Sequence, residues 1–366
     1  MRGLVAVAAA AGLTALLCGA GPPVSAQVAP SLSDEEFQAL VTALSEPGGA
    51  FVTDNIVSNE IAFEDVLPEL QRRPRQGAYI GVGPEQNLSY IAALKPSIAF
   101  IVDLQRGNML LHLLYKALIE ISNSRAEFMQ AMFCRMRPPD MTIDTPAQAM
   151  FAAYAAAPML PQWDAVTLDR AFSQLTRRHH FMLTGDDRAH MAKTLRAWCT
   201  GGPNLRGDFG GGPSIPRWAP SYAEMMTQTD PAGQSQSFLG TEARFLTLRE
   251  YELGNLIVPI IGDFAGDKAL AAVGDYLKTH RLVVGTFYAS NVEEYLFQSD
   301  AWRRFFRNIA TLPIDDQSMF VRTYFTSGIE GMREYVDPMR PMLAAVEKGD
   351  VKTYDDVITR SRVPRP

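Results

Sequence analysis

The residues with the clearest chemical potential stand in one short stretch, Gly81-Val82-Gly83-Pro84-Glu85-Gln86-Asn87, just past the apolar run beginning at Ala78. Glycines at a strand's end let a ligand approach the backbone, and the helix that opens next offers free N–H groups. An acidic residue about twenty positions on can accept ribose hydroxyls, and Asp103 stands there at the end of a second apolar run. The third glycine of a dinucleotide fingerprint is missing. The pattern therefore favours a nucleoside without phosphates over a pyrophosphate, against the competing reading of a purely structural turn.

Other polar residues gather around the same theme. Glu85 is a candidate general acid or base, although sequence fixes no second group beside it. In Gly262-Asp263-Phe264-Ala265-Gly266, Asp263 and Phe264 come after an apolar run, which puts them at the carboxyl end of a strand, where open α/β sheets bind ligands. Asp263 is the second catalytic candidate. Tyr288, Ser290 and Asn291 stand at the end of the next apolar run in the same way, and Asp54, Asn59 and Glu60 could close the site from the N-terminal side. For Ser290 and Asn291 helix capping is the stronger expectation, as it is for Asp267, and the polar Phe51 to Glu60 segment also reads as a capped turn. The Arg303-Arg304-Phe305-Phe306-Arg307 cluster reads as a helix face snorkelling over apolar surface.

The elements that must position these residues alternate in type. Ala78 to Val82, Ile98 to Leu104, Leu256 to Ile261 and Leu282 to Tyr288 are buried-strand runs, and Met319 to Phe325 is expected to be the last strand. Helical patterns cover Gln86 to Leu94, Met109 to Ile121, Lys268 to Thr279 and Val292 to Phe297. Such alternation predicts parallel βαβ units with right-handed crossovers, in a mostly parallel sheet with helices on both faces. A capping box at Ser33-Asp34-Glu35-Glu36 opens an N-terminal helix running to about Ser45. Between the two α/β halves, at about 137–250, lies an expected helical insertion. Its helices start at Thr145-Pro146 with proline in the first position, and span Thr167 to Phe181 and Asp186 to Trp198. Gly201 to Ser237 then lacks apolar periodicity and reads as a lid or a disordered loop.

Of the 366 residues, 47% are hydrophobic and 20% charged, ample for a core. A net charge of −6 lacks the basic excess that nucleic acid requires as a partner. Arg2, the apolar run Leu4 to Leu17 and Val24-Ser25-Ala26 predict a secretory signal over 1–26, cleaved before Gln27, and a periplasmic or secreted mature chain over 27–366. That run is too short to span a bilayer, and no later one is long enough. Leu17 argues against a lipid anchor on Cys18. Cys134 and Cys199 then remain, to pair or to stay free. No metal site is expected, because His179, His180 and His190 lie on polar helical stretches without ligand spacing.

With these motifs in view, the core resembles the class I S-adenosylmethionine-dependent methyltransferase fold, in which a GxG loop after the first strand and an acid after the second hold the cofactor. More closely, Tyr79-Ile80-Gly81-Val82-Gly83-Pro84-Glu85-Gln86-Asn87, Thr53-Asp54-Asn55-x-x-Ser58-Asn59-Glu60, Gly262-Asp263-Phe264-Ala265-Gly266 and Ser290-Asn291-Val292-Glu293-Glu294-Tyr295 are similar to a bacterial family of methyltransferase-like proteins. The resemblance implies S-adenosylmethionine as cofactor, with Gly81, Gly83, Pro84, Glu85, Gln86, Asn87, Asp103, Asp263 and Phe264 around it. Methyl transfer to a small molecule is the expected activity. Because that cofactor is cytoplasmic and the signal directs export, the alternative is an exported binding or structural envelope protein that retains the fold.

Overall fold

Five apolar runs form the parallel strands β1 (Ala78–Gly81), β2 (Ala99–Asp103), β3 (Ile257–Ile261), β4 (Val284–Ser290) and β5 (Met319–Phe325) of the computed structural model. It describes residues 31–51, 55–73, 77–207, 219–325 and 331–362. These strands are covered on both faces, which explains why they read as continuous apolar runs rather than as alternating ones. A further strand, β6 (Met332–Pro338), pairs antiparallel with β5, so Met319–Phe325 is not the last strand. Its inward positions are Met332, Glu334 and Val336, and a carboxylate in that row hides the apolar alternation.

The strand order is β3-β2-β1-β4-β5-β6. From β1 the chain steps outward through β2 to β3, then returns to β4 beside β1 and steps outward the other way. Right-handed crossovers therefore place helices Gln86–Leu94 and Arg106–Glu120 on one face, and Ala269–Thr279 and Trp302–Thr311 on the other. The aromatic packing agrees. Tyr90 lies over Tyr79 and Tyr288 on the first face, whereas Tyr276 meets Phe100 edge-on and Phe305 meets Phe287 on the second. Where the order reverses, between β1 and β4, a crevice opens outside the strands' carboxyl ends.

The N-terminal helix Asp34–Leu44 carries the expected capping box between Ser33 and Glu36, and buries Phe37, Val41 and Leu44. Helix Ala269–Thr279 is not capped by Asp267. Glu46 reaches it instead and accepts from the backbone of Lys268 and Ala269, an anion at a helix N-terminus.

The insertion is helical, with shifted boundaries. Helix Ala147–Ala156 has Pro146 at its cap rather than at its first position, and Trp163–Ser173 ends in a π-helical turn, Gln174–Arg178, before helix Gly185–Gly201. Gly201 to Ser237 is more ordered than its composition suggests. Helix Tyr222–Met226, with a Ser221/Glu224 capping box, buries Tyr222, Met225 and Met226, while 208–218 fall outside the described residues. His179 does not lie on a polar surface. It is fully buried between Glu120 and Asp34, partners too distant in sequence to be read from its arginine neighbours. Cys134 and Cys199 form a disulfide. The signal segment 1–26, with Cys18, and the expected new terminus Gln27 lie outside the described residues, among which no helix is long and apolar enough to cross a membrane.

Candidate functional site

A cavity of about 490 Å³ fills the crevice, a volume suited to a small organic ligand. Its wall is made of the residues at and just past the carboxyl end of each strand. Val82, Gly83 and Pro84 come after β1, Asp103 to Gln105 at the end of β2, Gly262 to Phe264 after β3, and Ser290 to Val292 at the end of β4. Asn55, Ser58, Asn59 and Glu60 close it from the N-terminal side, and Arg304 reaches it from helix Trp302–Thr311.

The two glycines of the β1 loop have different tasks. Gly83 has φ +78°, a conformation natural to glycine, and a side chain there would find nothing nearer than Gln86 at 4.0 Å. Its face is open to the cavity. Gly81 is closed, since a Cβ would lie 2.0 Å from the Asn87 amide oxygen and 2.7 Å from the Tyr79 ring. Asn87 occupies that space as a staple. Its Oδ1 accepts from the Tyr79 hydroxyl at 2.7 Å, and its Nδ2 is shared among the carbonyls of Val82, Gly83 and Pro84 at 2.8, 3.2 and 2.7 Å. Gly81 and Asn87 thus shape the loop without lining the cavity. Behind it, burial pushes the His112 imidazole down to about 4, so the ring is neutral and donates from Nε2 to the Gly83 carbonyl at 2.9 Å.

Asp103 lies across from the loop. Its Oδ2 accepts from the Gly83 N–H at 3.3 Å and its Oδ1 from the Gln105 N–H at 2.9 Å, while burial raises the carboxyl to about 6. Each oxygen keeps a lone-pair direction for a ligand. Glu85 does not join it. Its carboxylate is buried off the cavity wall, accepts from the Ser58 N–H at 3.0 and 3.1 Å, and is raised by burial to about 7. It fastens the 55–60 segment to the glycine loop. Asp263 does line the cavity, with Oδ1 accepting from the Ala265 N–H at 2.8 Å, and Phe264 stacks on Phe305 beside it.

Glu60 sits at the other end, buried, with its carboxylate ringed by hydroxyls. Tyr288 and Ser290 both donate to it, and Thr323 does so at 2.6 Å. Gln86 in turn donates to the Tyr288 hydroxyl at 2.5 Å. Ser290 holds φ +52°, and the β4–β5 register shifts between Tyr288 and Ser290. This uncommon backbone for serine turns its hydroxyl onto Glu60. Ser290 caps no helix, and Asn291 stands at an N-cap position that its side chain does not use. Asn291 precedes helix Val292–Gln298 without a side-chain cap bond, and with Asn59 it lines the cavity. Asp54 lies outside the described residues.

Contributors not visible as site residues in the sequence include Thr323, Glu334, His112 and Arg304. A threonine inside an apolar strand and a histidine inside an apolar helix are the only local signs for two of them. Arg303 does stack over the Trp302 ring, as a snorkelling face would, but Arg304 turns to the cavity. Among the described residues no group of three or more His, Cys, Asp or Glu is placed to hold a metal ion.

Sheet order and crevice together define an α/β protein with a mostly parallel, Rossmann-like sheet and a ligand-sized cavity at its switch point. A family profile matches residues 55–138 and 217–339, more than half of the chain, and the chain belongs to that family, described as Domain of unknown function (DUF7790). The gap in the match falls on the helical insertion, so the matched part is the sheet, its covering helices and the cavity wall. No curated protein matches the chain.

Proposed function

We propose that the cavity binds S-adenosylmethionine or a closely related nucleoside, and that the chain is a methyltransferase-like protein acting on a small molecule. One observation carries this reading: the bare backbone of Gly83 and the carboxylate of Asp103 meet at the sheet's switch point, on the wall of a 490 Å³ cavity. The residues present fit such a ligand. Asp103 retains acceptor capacity for two hydroxyls, and Val102, Leu104 and Phe264 supply apolar wall for a heterocycle. Asp263 offers an acceptor for an exocyclic amine. Glu60, Asp103 and Asp263 outnumber Arg304 on the wall, which favours a cationic ligand.

The cofactor, when bound, supplies a methyl group on a sulfonium as the electrophile. The chain's part is to orient and to manage a proton. Asp103 fixes the ribose, Asn59, Ser290 and Asn291 offer hydrogen bonds to the acceptor, and Glu60 takes the acceptor's proton onto a carboxylate oxygen.

A second reading, an exported binder without catalysis, is favoured by the Cys134–Cys199 bond, since disulfides persist in oxidising compartments. It also accommodates the expected signal and a periplasmic or secreted location.

Calorimetric titration with S-adenosylmethionine, its demethylated product and adenosine tests the site. Asp103→Ala is expected to weaken binding by roughly tenfold to over a hundredfold, the loss of charge-assisted hydrogen bonds of roughly 1.5–3 kcal/mol, with the fold intact. A wild-type chain that binds none of the three, or a variant that binds equally well, sinks the nucleoside reading.

A further inference from the structure

The wall around Glu60 contains a hydrogen-bond pattern that both nearby carboxylates cannot satisfy while ionised. Thr323 Oγ1 lies 2.6 Å from Glu60 Oε2 and 2.8 Å from Glu334 Oε1, on strands whose register sets Thr323 opposite Glu334. A hydroxyl has one proton to donate. With both glutamates ionised, one of these contacts would set lone pairs against lone pairs, so one carboxyl must bring a proton of its own.

The remaining partners say which one rests in the acid form. Glu60 receives the hydroxyls of Tyr288 and Ser290 as well as Thr323, and the Tyr288 oxygen is itself taken by Gln86, which directs the tyrosine's proton to Glu60. That is a carboxylate's environment. Glu334 has Oε1 on Thr323 and, among the described residues, no partner for Oε2. Neither glutamate is paired with a lysine or arginine among the described residues. The charges facing the pair are the two carboxylates themselves and Asp65, with the phenols of Tyr79, Tyr90 and Tyr288 packed around them, and burial raises both carboxyls.

We propose that Glu60 and Glu334 share a single proton through Thr323 and form the acid–base group of the cavity. At rest Glu334 is the acid and donates to Thr323, which donates to the Glu60 carboxylate. Moving each of these two protons one step leaves Glu334 as carboxylate, Thr323 as hydroxyl and Glu60 as acid, with atoms and charge conserved. Glu60 thus meets a ligand as base or as acid, and the ligand group it serves is one that exchanges a proton, an amine or a hydroxyl. The two carboxyls titrate as a pair with macroscopic steps of their own. The inference rests on the cavity being a ligand site, as proposed above, yet its test needs no ligand, so failure of one does not imply failure of the other.

The experiment is carbon NMR of the full chain labelled at the glutamate carboxyl carbons, titrated from about pH 5 to about pH 9. The expected wild-type result is a pair of coupled resonances, one in the acid form at neutral pH. Glu334→Gln removes that resonance and lowers the titration of Glu60, and Thr323→Val, which keeps the shape without the bridge, shifts the titration of Glu60 and reduces the coupling to the direct interaction of the two charges. If Glu334→Gln does not fold, Glu60→Gln assigns the same pair from the other side. Two carboxyls both ionised at neutral pH, or a Glu60 titration unmoved by Glu334→Gln and by Thr323→Val, would overturn the proposal.

Discussion

The cavity's two carboxylate walls are built on opposite plans. Asp103 is held by backbone N–H groups that lie 20 and 2 residues away in the chain, whereas Glu60 is held by side-chain hydroxyls 228, 230 and 263 residues away. An N–H can only donate, so the Asp103 wall has a fixed polarity suited to recognising hydroxyls. A hydroxyl donates or accepts, so the Glu60 wall can reverse its direction. One wall holds a ligand and the other handles its proton.

The comparison breaks most severely if the staple of the first wall is removed. Asn87→Ala leaves three carbonyls and the Tyr79 hydroxyl without their partner in the loop, and at about 1 kcal/mol each the expected loss is about 4 kcal/mol, measured by urea unfolding. A loss below about 1 kcal/mol would mean that the glycine loop holds its own shape.

Next in size is the link between the walls. Burial raises Glu85 to about 7 from 4.5, so the folded chain binds the proton more tightly than the unfolded one. Its stabilisation is fully present below about pH 4.5 and is lost as pH rises through about 7, a change of about 3 kcal/mol. Glu85→Gln should flatten this part of the stability profile. An unaltered slope between those two pH values would show that the Glu85 carboxyl is not held in the buried setting described.

The smallest effect sharpens the contrast. At the rim Phe51 and Tyr295 meet edge to face at 5.0 Å, both partly exposed. Tyr295→Ala should cost about 1 kcal/mol or less in thermal unfolding and leave the Glu60 titration untouched. A shifted titration would extend the second wall to the rim.

The same division separates the parts of the molecule that are legible in the sequence from those that are not. The Asp103 wall, the five parallel strands and the N-terminal capping box are encoded within windows of about twenty residues, by apolar runs, turn glycines and cap residues. The sequence places Glu85 and Asn87 in the loop, but it cannot say that they face away from the cavity, because that depends on Ser58 and Tyr79. β6 stays hidden because its inward row includes Glu334, and Thr323 is an ordinary strand residue until Glu60 and Glu334 are set on either side of it. Ser290 reads as a helix cap because its backbone turn onto Glu60 arises only from the register shift beside β5.

The Cys134–Cys199 bond lies at the boundary between what the family shares and what it does not. The matched segment ends at residue 138, just past Cys134, and Cys199 belongs to the unmatched insertion. Closing a loop of 65 residues removes about 4 kcal/mol of freedom from the unfolded chain. It also makes the part of the insertion between the two cysteines a hoop rather than an appendage. A single cut in the backbone between the two cysteines liberates no fragment, so this stretch can be nicked by a protease while the two halves of the sheet stay covalently joined.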